Sequence, residues 1–166
     1  MTETEIMAIE EELDADEALR DEIEQRNNGL LDIFVNDLAG LPQKALKAHL
    51  SNAHTYINLF LMTGPESPYT MEQGVDRLDE YFGYFFIRKC MWATSENLPE
   101  NAESIRMFYK SMMEHDVINA DMYTTVETTI KAKLPGWVEA CRLNEAFEKQ
   151  IVEEWQREME ALYSGV

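Results

Sequence analysis

Seven glycines and five prolines are few for a chain of 166 residues. Hairpin turns draw on glycine, asparagine and proline at fixed positions. With so few, and with no sustained alternation of apolar and polar residues, a sandwich or barrel of many short strands is excluded. Cysteine is also scarce. Cys90 and Cys141 are the only two, which excludes a disulfide-stapled scaffold and a four-cysteine zinc site. Both fall within helical patterns and read as small buried apolar residues in a reducing compartment; they could pair only if their helices meet. No apolar run approaches the roughly 18 residues a membrane span needs. The longest, Tyr81–Ile87 (YFGYFFI), is far too short. The opening MTETEIMAIEEELDAD is acidic where a secretory signal is basic and then apolar, so a cytoplasmic location is expected.

Positive charge is the most telling shortage. Fourteen Lys or Arg stand against 32 Asp or Glu, a net charge of −18. Thirteen of the acids lie in residues 1–40, opposed only by Arg20 and Arg26, whereas residues 41–135 are nearly balanced, with twelve acids and nine bases. An acidic leader joined to a balanced middle argues against broad attraction to nucleic acid or anionic lipid.

What is present is helical periodicity. An apolar content of 45% suits one globular domain. Residues 4–26 read as helix in two pieces, with Ile6, Ile9 and Leu13 on one stripe, Leu19 and Ile23 on another, and a restart at the Asp14/Glu17 capping box. Asn27-Asn28-Gly29 reads as a turn, and Leu30–Leu38 as a short helix stopped by Gly40. Pro42–Met62 is an amphipathic helix with Leu46, Leu50, Ala53, Ile57, Phe60 and Leu61 on one face. A capping box at Thr70/Gln73 opens a helix through Tyr81–Ile87, which is apolar nearly all round and so expected to be the most buried. Asn97 with Glu100 begins another, running to about His115. A shorter helix around Met122, Val126 and Ile130 is expected to break at Leu134-Pro135-Gly136. The last helix runs from Trp137 to about Leu162. The expected fold is all-α, a single bundle of six or seven helices: an acidic leader (residues 1–28), a core (residues 29–135) and a long C-terminal helix (residues 136–166) packed on that core.

Three segments carry a family resemblance: LLDIFVNDLAGLPQKALKAHLSNAHTYINLFL, TMEQGVDRLDEYFGYFFIRK and NAESIRMFYKSMMEHDVINAD. Their helix order and aromatic placement resemble the N-terminal core-binding, SAM-like domain of tyrosine recombinases of the phage-integrase type. The resemblance spans about ninety residues and implies a SAM-like four-helix core with helices added at both ends. That family's catalytic residues lie in a separate C-terminal domain. Here the residues after Ala120 read as two helices, so the resemblance implies binding without the chemistry. The family's core-binding domains are usually basic, and this chain departs from that.

Two surfaces follow. Lys44, Lys47, Ser51, His54 and Asn58 recur at helical spacing opposite the apolar face. With Arg106 and Lys110 they form the candidate contact surface for phosphates or for a partner. Ile151, Trp155, Met159 and Leu162 form an apolar seam at the end of the last helix, which either packs along the body or meets a partner or a second copy. Met91, Met112, Met113 and Met122 read as core fillers. His49, His54 and His115 lack metal-ligand spacing, no nucleophile–base arrangement or phosphate loop is present, and no cofactor is expected. The first expectation is a non-enzymatic binding or adaptor module for a protein partner or a homo-oligomer. A DNA-binding accessory, disfavoured by charge, comes second, and an enzyme with a site invisible in sequence third.

Overall fold

A reciprocal cap starts the first helix. The Thr2 amide donates to Glu5 Oε2 at 2.6 Å and the Glu5 amide to Thr2 Oγ1 at 3.2 Å. In this computed structural model, which describes residues 1–165, α1 runs unbroken over Glu3–Asp37. The expected breaks at Asp14 and at Asn27-Asn28-Gly29 do not occur. Asn27 is fully buried and uses its amide on the Ile57 carbonyl (3.1 Å) and on Asn58 Oδ1 (2.9 Å), so its polarity is spent on a neighbouring helix rather than on a turn. Gly29 sits mid-helix with nothing within 4 Å of the position a Cβ would take. Gly29→Ala is therefore expected to raise stability by about 1 kcal/mol, measurable as a higher thermal midpoint. A fall would mean that α1 bends at this residue.

Helix α2 spans Gln43–His54 and is prolonged by a π turn, Thr55–Leu59, and a 3-10 turn, Phe60–Met62. The Thr70/Gln73 box forms as expected (2.9 and 3.3 Å) but launches only a 3-10 turn, Gln73–Asp76. Helix α3 follows as Leu78–Glu80, a π turn Tyr81–Phe85 and Phe86–Lys89. Tyr81, Phe82, Phe86 and Ile87 are buried, whereas Gly83 and Tyr84 face solvent. Helix α4 is Leu98–Glu114. Its N-cap is Asn97, as expected, but Asn97 makes no side-chain bond to the first turn; the reciprocal bonds form three residues earlier, between Thr94 and Asn97 (2.8 and 3.0 Å). The helix closes in a Schellman pattern, with the Val117 amide on the Met112 carbonyl (2.9 Å), the Asp116 amide on Met113 (3.1 Å) and Asp116 left-handed at φ 60°.

Helix α5 runs over Ala120–Ser164 and passes straight through Pro135, where a break was expected. Proline removes one backbone bond and costs a helix interior about 3 kcal/mol. The helix continues because buried side chains hold it on both sides of the lesion, Val126 and Ile130 before it, Trp137 and Cys141 after it. The lost breaks reduce the expected six or seven helices to five, an all-α bundle with no strand among the described residues.

α4 is the hub, with α1, α2 and α5 all packed on it. The core is unusually aromatic. Tyr56 meets Tyr81 at 4.9 Å between ring centroids, Phe60 meets Tyr81 and Phe82 meets Trp137 at 5.0 Å each, and Phe34 meets Phe108 edge-on at 5.5 Å. The buried Tyr109 hydroxyl donates to the Met71 carbonyl (2.8 Å) and that of Tyr56 to Gly74. Met112 fills the core and Met113 and Met122 pack against it, but Met91, read as core, is 99% exposed. Both cysteines are free and buried, and burial pushes each thiol up to about 11.

Candidate interaction surfaces

The two long helices outrun the body they pack on. α1 first touches the body at Arg20, whose guanidinium donates to the Met62 carbonyl and to Ser67 Oγ (2.9 Å). Ile23 is buried next, and Arg26 pairs with Glu72 at 2.9 Å. Residues 1–19 are all exposed. At 1.5 Å per residue they form an arm roughly 25 Å long. Ile6, Ile9 and Leu13 fall on the same helical face as the buried Ile23, Leu30 and Phe34, so the core-facing stripe continues outward with nothing to face.

α5 does the same at its other end. Its last tie to the body is Glu145, which accepts from the Ser95 amide (2.6 Å) and hydroxyl (2.9 Å). From Ala146 to Gly165 every residue is exposed except the half-buried Met159. Ile151, Trp155, Met159 and Leu162 continue the face that holds Trp137 and Cys141 in the core. Trp155 is 58% exposed, and Phe147, Val152 and Tyr163 are also out in solvent. The four apolar residues share one face, but the last helix does not pack on the core along its length as expected: only the part up to Glu145 does, because the body ends there and nothing among the described residues lies opposite the later turns. The shallow concavity at Met1, Glu5, Ala8 and Ile9 is bordered by α1 alone, and that at Glu153, Gln156, Arg157 and Glu160 by α5 alone.

The expected basic surface divides. Lys47, Ser51 and His54 line a shallow groove of about 400 Å³ between α2 and α1, facing Asn28, Leu31, Asp32 and Val35. Lys44 is exposed one turn away. Asn58 is occupied, accepting from Asn27 and donating to Asn28 Oδ1 at 3.1 Å. Arg106 and Lys110 do not join this face. They border a separate groove of about 240 Å³ with Phe34, Asp37 and Glu114. Arg106 is clamped by Glu103 and Tyr123 (2.9 Å), and Lys110 lies 3.9 Å from Glu114. Local carboxylates therefore offset both charges, and the combined seven-residue surface is not formed. A larger concavity, about 660 Å³, lies elsewhere, between the 63–69 loop and α3, where Arg77 stacks 3.8 Å over Tyr69.

Sequence reading missed two polar clusters whose members are far apart in the chain. Asp37 accepts from Ser111 and sits 3.0 Å from His115 Nε2. Asp79 accepts from the Trp137 indole at 2.7 Å and from Lys133 at 3.2 Å. In the first cluster the carboxylate, not the imidazole, partners the hydroxyl, so it is a strut from α4 to the end of α1 rather than a nucleophile–base pair. Among the described residues no group of three or more His, Cys, Asp or Glu is arranged to hold a metal ion, and no helix is long and apolar enough to cross a membrane.

These contacts set the response to acid. The Ser111 hydrogen bond holds the Asp37 carboxyl below its ordinary range, with His115 adding to it. The Arg26 hydrogen bond does the same for Glu72, and the Trp137 indole followed by Lys133 for Asp79. Groups harder to protonate when folded stabilise fully above their unfolded values, about 4. That stability drains as pH falls through the lower folded values. The urea midpoint is expected to drop between about pH 5 and pH 3, and Asp79→Asn to shallow that drop. Equal slopes would remove Asp79 from the account.

Comparison with family models, with curated proteins and with solved structures returned no match. The fold and its surfaces define the class directly: an all-α bundle from which two amphipathic helical arms project.

Proposed function

We propose that the protein is a non-enzymatic binding or adaptor module whose partner is another protein. The observation that carries this reading is the α5 arm. A helix face that packs in the core over Val126–Cys141 runs on for about twenty residues into solvent, with Trp155 and its apolar neighbours uncovered. Such faces are what helix-in-groove and coiled-coil contacts bury, and tryptophan is among their commonest anchors. In this reading the packed body, from Arg20 to Glu145, presents the arms, and its middle helices are the part that resembles a recombinase core-binding domain. Duplex DNA is the less favoured partner, because the bases expected to meet phosphate are divided between two grooves and Arg106 is held by Glu103.

Ile151→Glu combined with Trp155→Glu tests the reading. Both sites are exposed, so the thermal midpoint should move by no more than about 2 °C. Proteins retained by the wild type should be released by the variant, and sedimentation at rising concentration tells a second copy from a different partner. Equal retention by both proteins, together with a shift of random duplex that collapses as salt rises, would replace this reading with DNA binding.

A further inference from the structure

The α1 arm carries more information than an exposed stripe, because its charges are in register. Ile6 and Leu13 are seven apart, and Ile9 lies three beyond Ile6, which makes them a and d positions of a heptad. The flanking e and g positions are then Glu5, Glu10, Glu12 and Glu17. All four are glutamates, and the whole arm holds eight acids and no Lys or Arg. The arm is exposed throughout.

We infer that the α1 arm docks a basic amphipathic helix of another protein, one with apolar residues at a and d and Lys or Arg at e and g. The inference rests on the protein-binding reading above and names the chemistry of one partner. A second copy does not fit. Paired in parallel, two α1 arms would set Glu5 against Glu10 and Glu12 against Glu17, and e and g charges decide coiled-coil partners. Lipid surfaces and nucleic acids are anionic and are repelled by the same residues. The arm also repels itself: Glu10 with Asp14 and Glu12 with Asp16 are like charges four apart on a helix, which destabilises it. A cationic partner relieves that repulsion while covering Ile6, Ile9 and Leu13. Asp16 and Arg20 interrupt the seam where the arm joins the body, which limits the docked stretch to about two heptads and the affinity to the micromolar range.

The test uses the full chain and a labelled helix of about three heptads, with Leu at a and d and Lys at e and g, followed by fluorescence anisotropy. Binding is expected at micromolar concentration and should weaken at least about tenfold from low to high salt. Replacing Ile6, Ile9 and Leu13 with serine should weaken it about tenfold again without lowering the thermal midpoint, since all three are exposed. Reversing Glu5, Glu10, Glu12 and Glu17 to lysine should switch preference to a probe with Glu at e and g. No binding, equal binding of a lysine probe with Ser at a and d, or equal binding of the acidic probe to the wild type would each overturn the inference. The Ile151→Glu/Trp155→Glu variant should bind the lysine probe as the wild type does. If the wild type ignores the probe while its retained proteins still depend on Trp155, this inference fails and the broader reading stands.

Discussion

Trp137→Ala is expected to cost the fold about 3–5 kcal/mol, the range for deleting a large buried aromatic. Trp137 is 3% exposed and does three things at once. Its ring lies 5.0 Å from Phe82, its indole N–H donates to Asp79, and its edge lies beside Gly83, 3.7 Å from where a Cβ would stand, so that it joins α3 to α5. It is also the first buried residue after Pro135, so it holds α5 in line beyond a residue that weakens the helix. The loss should appear as a lower urea midpoint with an unchanged slope. Helical ellipticity should fall as well, because residues beyond Pro135 lose their anchor. A loss below about 1 kcal/mol would show that Cys141, not Trp137, carries the second half of α5.

Gly74→Ala is expected to destabilise by about 3 kcal/mol, at the upper end of overpacking effects. A Cβ there would lie 2.6 Å from the Tyr109 hydroxyl oxygen, 2.8 Å from Leu61 Cδ1 and 3.3 Å from Tyr56 Cε1. The end of Leu61 can rotate away. The two tyrosines cannot move as cheaply, since Tyr109 is bonded to the Met71 carbonyl and Tyr56 to the carbonyl of Gly74 itself. Breaking either bond strands a buried hydroxyl. Denaturant unfolding of this variant beside Gly29→Ala checks the argument by sign. The same chemical change is expected to destabilise where the glycine admits neighbours and to stabilise where it only loosens a helix. Two stabilised variants would show that the core around Gly74 has room to spare.

Much of the fold was legible in the sequence because helical burial repeats locally. Leu46, Leu50, Ala53, Ile57, Phe60 and Leu61 declare a face at 3–4 spacing, and that face is buried or half-buried. The mistaken boundaries share one cause. Asn27-Asn28-Gly29 and Leu134-Pro135-Gly136 are breakers by local preference, and preferences of about 1–3 kcal/mol are outweighed when neighbouring helices bury what lies on either side. The reciprocal bonds before α4 lie three residues early for a smaller reason. Thr94 with Asn97 and Asn97 with Glu100 are both box-like spacings, and the choice between them follows from how the chain arrives from Cys90.

The candidate surfaces divide in the same way. The apolar seam of Ile151, Trp155, Met159 and Leu162 could be listed from spacing, but its exposure could not. A stripe reads identically whether a body covers it or not, and coverage depends on where α4 and α3 end relative to α5. The grouping of Lys44 and Lys47 with Arg106 and Lys110 failed because membership of a face on separate helices is set by packing. The contacts of Asp37 with Ser111 and of Asp79 with Trp137 join residues more than fifty positions apart, beyond the reach of any spacing rule.

By itself the sequence determined the all-α class, the apolar stripe of each helix and the acidic register of the first helix, since each is written in periodicity or charge along one stretch of chain. Only the tertiary structure decided that two helices run unbroken past their breakers and beyond the body. Whether a helix continues and whether its stripe is covered are set by the side chains other helices bring against it, and those are neighbours in space rather than in sequence.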